Sequence, residues 1–465
     1  MAFQTSAPVP PVQRSPARHT APSPQPRHAS GRQRKPQPFA QRHPHLAFFL
    51  QHLVWAVRLV LAVVAIAPLF LFMVWFNYTV DCSGLFHGDV YTREIAAMLL
   101  DGQNVLGYES MDERSLSRLV VEQMETVPQT VALGSSRVMQ MTRAVAGTED
   151  FFNFGMTGGD FYDLLGTWYL FEQKGQLPAE VILCIDPWLF NGSGAADTER
   201  SDRNLYAQML AECLGEPAEF VSEDKHALWE ALISPSYFQG NVRYYRVDRQ
   251  TQKRPRAVPA GYEDAASEVK NCDGSVGYTL SMHQQTPQQT EAYALEMAST
   301  FAWCDAYDEP DPERLRLFRK FLSYLQQKEV QVYFLLPPLH PTMYEYALTY
   351  PEDHLGFLRS EGVIRQLAAE YGIPVYGSYN PHILTGVDAS TDFYDGVHCT
   401  SECLQKFWPG IETARAELAA GVDPSTRLQL PLDDDLYAQL QLRCGPEVAE
   451  AMRAELPLHP SQTAE

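Results

Sequence analysis

The chain has no Cys-x-x-Cys pair: its eight cysteines, at 82, 184, 213, 272, 304, 399, 403 and 444, fit no zinc-ligand spacing. Cys184 lies inside an apolar, strand-like run and reads as a buried thiol. No internal repeat is present, which excludes a solenoid or propeller array. The first 58 residues contain no Asp or Glu, while Arg14, Arg18, Arg27, Arg32, Arg34, Lys35, Arg42 and Arg58 give them +8. Because the whole chain carries −21, everything that follows carries −29. A basic arm attached to so acidic a body, without a fold or interleaved aromatics, argues against a nucleic-acid protein.

Between arm and body, Leu59–Tyr78 contains no charge of either sign. As a helix this run is roughly 30 Å long, the thickness of the hydrocarbon layer. Trp75 and Tyr78 suit an interface, and Pro68 is tolerated in a membrane helix. A cleaved signal peptide would have a shorter apolar stretch and a small-residue cleavage site, and a core helix would show a polar face. Residues 53–78 are therefore expected to be a single-pass signal-anchor in contact with the lipid bilayer. The positive-inside rule puts residues 1–52, a disordered Pro-rich arm, in the cytoplasm and the rest outside.

Residues 79–128 read as a juxtamembrane region with helices near Tyr91–Asp101 and Ser115–Glu125. Beyond it, apolar runs at Thr130–Leu133, Phe151–Phe154, Glu180–Ile185, Val330–Leu336 and Ile373–Tyr376 suit strands buried on both faces of a parallel sheet. Helical stretches at Asp160–Gln173, Pro312–Lys328, Asp353–Tyr371 and Ser401–Ala420 alternate with them. The expected fold is α/β, a doubly wound, flavodoxin-like parallel five-stranded sheet over residues 129–420, preceded by one transmembrane helix. Residues 192–300 break the alternation and read as a long insertion, a lid or a partner surface, with short helical patches such as Asn204–Leu214. Residues 421–465 form an acidic tail with one amphipathic helix near Pro446–Glu455.

Three segments fall at or just beyond the carboxyl ends of predicted strands, where open α/β sheets place their ligands. In Gly134-Ser135-Ser136-Arg137, Ser136 sits where a strand turns toward a helix; its alternative is an ordinary helix cap. The loop Asn153-Phe154-Gly155-Met156-Thr157-Gly158-Gly159 lets backbone N–H groups approach a ligand, or simply makes a strand-to-helix turn. In Asp395-Gly396-Val397-His398, the carboxylate is placed to fix the histidine tautomer. A nucleophile, oxyanion donors and an oriented base are the parts of an acyl-transferring serine enzyme. Arg137 either grips an anionic substrate group or makes a structural ion pair. His340, at the end of the fourth strand, is a weaker candidate for the same crevice.

Together these segments resemble the SGNH (GDSL-like) hydrolase superfamily over roughly residues 128–192 and 328–420. The resemblance implies Ser136 as nucleophile, Gly158 as oxyanion donor, and Asp395 with His398 as the acid–base pair. The family's third block carries an Asn in a Gly-x-Asn-Asp turn. Here that strand runs on as Cys184-Ile185-Asp186-Pro187-Trp188-Leu189-Phe190-Asn191, so Asn191 is the nearest amide and the candidate further oxyanion ligand. Asn191 also opens an Asn-Gly-Ser glycosylation sequon. With the anchor, the architecture looks like the teichoic-acid D-alanyl-transfer family (DltD) and the alginate-type envelope acetyl-transfer proteins. That resemblance implies a membrane-anchored extracytoplasmic esterase or acyltransferase acting on O-acyl groups of cell-envelope glycan, with a membrane protein partner and no metal or diffusible cofactor. The other class open to the sequence is a catalytically silent module that binds a glycan or a partner in the same crevice.

Overall fold

The computed structural model describes residues 43–81, 85–86, 89–107, 112–194, 197, 200–221, 225–243, 245, 255–300, 307–350, 353–429 and 434–446. The basic arm and nearly all of the predicted helix near Pro446–Glu455 lie outside them. A 37-residue helix, Pro44–Val80, contains the apolar run; it is long and apolar enough to cross a membrane. The chain divides into two units, residues 1–71 and 72–465.

In the second unit, strands β2 (Thr130–Leu133), β3 (Phe151–Asn153), β4 (Glu180–Cys184), β8 (Gln331–Leu336) and β9 (Val375–Gly377) form one sheet in the order β3-β2-β4-β8-β9. Every pairing in it is parallel. Successive side chains of a strand point to opposite faces, and both faces here are covered. Val131, Leu133, Val181, Leu183, Phe334 and Leu336 join one apolar cluster with Trp168, Phe318 and Leu367 of helices Phe161–Lys174, Pro312–Gln327 and Leu355–Tyr371. Ala132, Ile182, Cys184, Tyr333, Leu335 and Tyr376 join a second with Leu404, Phe407 and Ile411. Burial on both sides is why these strands read as unbroken apolar runs. Cys184 is a buried free thiol, and burial pushes it well above its ordinary pKa.

Local chemistry sets the helix ends. Asp160 caps Phe161–Lys174 with a reciprocal capping box, and Asp311 accepts the Arg314 N–H ahead of Pro312. The expected single helix Ser401–Ala420 is two, Ser401–Phe407 and Ile411–Ala420. The break falls at Trp408-Pro409-Gly410: proline has no N–H and bars its predecessor from helical geometry, and Gly410 has φ +85°.

Residues 192–300 hold the expected helical patches, the one at Asn204–Leu214 included, and strands as well. Helices Arg203–Gln208, Lys225–Ile233, Pro235–Arg243 and Pro287–Thr300 are present. So are strands β5 (Arg256–Val258), β6 (Val269–Lys270) and β7 (Val276–Gly277). They build an antiparallel sheet, β5-β1-β6-β7, around β1 (Asn104–Leu106) from the juxtamembrane region. Strands of two or three residues are too short to carry a period. The turn between β6 and β7 docks on the edge of the large sheet, where Asn153 N–H donates to Asp273 O at 2.7 Å. Gly274 there has φ +80°, and a Cβ on it would lie 2.2 Å from Asn153 O.

Candidate active site

The turn after β2 is compressed. Gly134 has φ +153°, and a Cβ on it would lie 2.6 Å from Cys184 Cβ. Ser135 and Ser136 then divide the work. Ser135 is buried and caps a short 3-10 turn, its Oγ accepting the Arg137 N–H at 3.2 Å. The Ser136 Oγ instead lies 2.8 Å from His398 Nε2. On the other side of that ring, His398 Nδ1 lies 2.7 Å from Asp395 Oδ2. Asp395 Oδ1 accepts the N–H groups of Val397 and His398, each at 2.8 Å. Burial alone would raise the Asp395 carboxyl; His398 and these donors outweigh it and hold it below the ordinary carboxylate value. The serine, histidine and aspartate thus form one continuous hydrogen-bonded chain across residues 262 positions apart.

The glycine loop lies against the turn that carries Ser136. Met156 N–H donates to Gly134 O at 3.2 Å, Gly159 N–H turns back to Met156 O, and Ser135 and Met156 form an isolated parallel bridge. A Cβ on Gly159 would lie 2.9 Å from Gly134 O. Asn153 anchors the loop's start: its amide donates to Val138 O and Met141 O, and its Oδ1 accepts Gly155 N–H. Gly158 has φ +59° and open space where a side chain would project.

Arg114, which no sequence pattern marks, sits behind this loop. It donates to Thr157 O at 3.1 Å, to Gly158 O at 3.3 Å and to both oxygens of Asp163. In a trans peptide C=O and N–H point in opposite directions. Holding the Thr157 carbonyl therefore turns the Gly158 N–H away from Arg114. Glu113 accepts the Thr157 N–H at 2.5 Å, completing the grip from the same helix start.

Three candidates are placed elsewhere than a substrate-facing wall. Arg137 is fully buried. It donates to Val397 O at 3.1 Å, Asp186 Oδ1 at 3.3 Å, Pro338 O at 3.2 Å and Pro337 O, and its guanidinium lies 5.4 Å from the Tyr379 ring. Its donors are spent on protein groups, so it ties three loops together and does not grip substrate. Asp186, its carboxylate partner, is buried; burial raises its pKa against the pull of Arg137. His340 is also buried; it caps helix Pro341–Thr349 through Thr342 N–H, donates its own N–H to Gly396 O, and packs on Phe393. It supports the Asp395 loop from behind. Asn191 is buried under the start of helix Pro312–Gln327, where Phe190 O accepts the Asp311 N–H, and its Oδ1 accepts Ser193 N–H. Its side chain is fully buried, which puts the sequon out of reach.

The segment 192–300 reaches the site. Tyr278 packs edge-on against His398, with centroids 6.0 Å apart, and against Tyr394. Tyr394 OH lies 3.0 Å from His283 Nε2, and His283 Nδ1 lies 2.7 Å from Glu263. Helix Pro287–Thr300 closes on Gly396, where a Cβ would lie 3.2 Å from Ala294 Cα. None of these contacts has a sequence signal, because each pairs residues over a hundred positions apart or in unpatterned loops. Among the described residues, no cluster of three or more His, Cys, Asp or Glu is placed to hold a metal ion. No protein-family model matches the chain, and no curated protein matches it.

Proposed function

We propose that the protein is a membrane-anchored serine esterase or O-acyltransferase of SGNH type. The observation that carries this reading is the Ser136–His398–Asp395 chain, at 2.8 and 2.7 Å. Ser136 Oγ attacks an ester carbonyl carbon while His398 Nε2 takes its proton. The Gly158 N–H, with that of Ser136, receives the oxyanion. His398 returns the proton to the departing alkoxide, leaving an acyl-serine. An incoming hydroxyl, from water or a sugar, then bonds to the acyl carbon as His398 takes its proton, and His398 passes that proton to Ser136 Oγ as the acyl–Oγ bond breaks. Asp395 holds the imidazole and balances its charge.

The strand order supports the doubly wound, flavodoxin-like reading, since renumbering the five strands along the chain gives 2-1-3-4-5. The long apolar helix supports anchoring, and with the basic arm it supports an extracytoplasmic catalytic domain. Envelope glycan hydroxyls as acceptors follow from anchoring and the family resemblance. One observation favours the second reading, a silent glycan- or partner-binding module: Asn191, the candidate further oxyanion ligand, is fully buried and its Oδ1 is engaged by Ser193 N–H.

The test is a fluorophosphonate probe on the full-length protein, with Ser136→Ala and His398→Ala alongside. The esterase reading expects labelling of the wild type that both substitutions abolish. A folded wild type that stays unlabelled at neutral pH makes the binding module the working function.

A further inference from the structure

We infer that helices Lys225–Ile233 and Pro235–Arg243 lie in the membrane interface beside the anchor, with Trp229 and Ile233 in contact with lipid. This rests on reading Pro44–Val80 as a membrane span. The pair is bound to the last turns of that helix. The Phe238 ring packs on Phe76 and Phe72, with centroids 5.3 and 6.3 Å away, and Tyr245 packs on Phe76. Its neighbour Tyr237 donates its hydroxyl to Asp81 at 2.7 Å, the first charge after the apolar run. Phe72 lies nine residues before Asp81, about 13 Å along a helix axis at 1.5 Å per residue. Tyr237 thus marks the polar boundary and Phe238 reaches below it, the depth at which interfacial helices bury an apolar face.

The end of the first helix is built for a place where water is scarce. The last carbonyls of a helix lack partners within it and are ordinarily hydrated, and unmet carbonyls at membrane depth are costly. Here Asn77 supplies the donors: its amide lies 3.1 Å from Ala231 O, 2.9 Å from Leu232 O and 3.2 Å from Ser234 O. Asn77 is itself fully buried, its Oδ1 accepting from Asn241 at 3.1 Å. A polar residue in the last turns of the span is thereby spent on the neighbouring helices. The outward face carries what a bilayer takes up. Trp229 is 67% exposed and Ile233, four residues on and so on the same side of the helix, 49%. Leu228, next to Trp229 in the chain, is exposed as well. Tryptophan with aliphatic neighbours is the composition of an interfacial belt.

The full-length protein in phosphatidylcholine–phosphatidylglycerol vesicles tests this, with p-benzoylphenylalanine replacing Trp229, Ile233, Leu69 or Tyr293 in turn. Irradiation is expected to add the mass of one phospholipid at Trp229, Ile233 and Leu69, and none at Tyr293, an exposed position on the helix over Gly396. Two positions on the helix guard against one variant failing to fold. Lipid adducts at Leu69 with none at Trp229 or Ile233 overturn the inference and leave the span standing. No adduct at Leu69 overturns the span and the inference together. A shift by the mass of a second protein chain at Trp229 assigns the face to a protein partner and also overturns it.

Discussion

Behind the turn that carries Ser136 stands Arg137; behind the glycine loop stands Arg114. Both are buried and each meets one carboxylate, Asp186 and Asp163 respectively. Their remaining donors are used differently. Arg137 spends them on carbonyls from two loops far apart in the chain, Pro337-Pro338 beyond β8 and Val397 beside His398. Arg114 spends them on two successive carbonyls of one loop. The first arginine sets the distance between Ser136 and His398, because Arg137 adjoins Ser136 and Val397 adjoins His398. The second sets the direction of a single peptide N–H. Long-range assembly and local orientation are thus assigned to separate cations, and substitution separates them.

The largest effect is expected at Arg137. Arg137→Met leaves Asp186 buried without a cation, which should cost about 3–5 kcal/mol, read as a fall in the denaturant midpoint, and should abolish fluorophosphonate labelling. Adding Asp186→Leu removes the orphan charge and should restore most of the stability. It cannot restore the tether to Val397 O, so labelling should stay lost. A double variant that regains labelling would reduce Arg137 to a counter-charge and break the contrast. Arg114→Gln should be milder. Asp163 keeps the Asp160 N–H at 3.2 Å, so the stability loss should be about 1–3 kcal/mol, the scale of a lost buried hydrogen bond. The labelling rate should fall about 10- to 100-fold, short of the roughly 10²–10³-fold cost of deleting an oxyanion donor outright. An unchanged rate would detach the Thr157–Gly158 peptide from the oxyanion.

How far the sequence foretold these parts follows the range of the interactions. The five parallel strands were legible because burial on two faces leaves an apolar run that needs no partner to be recognised. Helix starts at Asp160 and Asp311 were legible because a cap acts within three residues. Ser136, Asp395 and His398 were singled out from their strand ends, and the structure brings those three together. Arg114 was invisible because its partners lie 43 to 49 residues away with no periodic relation to it. The antiparallel sheet was invisible because β1 finds its partners 150 or more residues later. The burial of Asn191 at the start of helix Pro312–Gln327 was illegible because it goes with Phe190 O meeting the Asp311 N–H, 121 residues later.

The smallest effect is one of pH, and it separates the two carboxylates nearest the triad. Asp395 is held below the ordinary carboxylate value and Asp186 is raised above it by burial. A depressed carboxylate contributes stability that is fully present above its unfolded pKa, about 3.9 for Asp, and is lost as pH falls through its folded value. Asp186 acts in the opposite sense, since its charge is the form that burial disfavours, so stability declines as pH rises from the unfolded value through the raised one. Asp395→Asn removes only the first contribution. The stability gap between wild type and Asp395→Asn should therefore be level from about pH 5 upward and close progressively below about pH 4. Denaturant midpoints taken from pH 3 to 7 measure that gap. A gap that stays constant to pH 3 would show that Asp395 binds its proton equally in the folded and unfolded chain. The hydrogen bonds it accepts from Val397, His398 and the imidazole would then orient the base without being strengthened by the carboxylate charge.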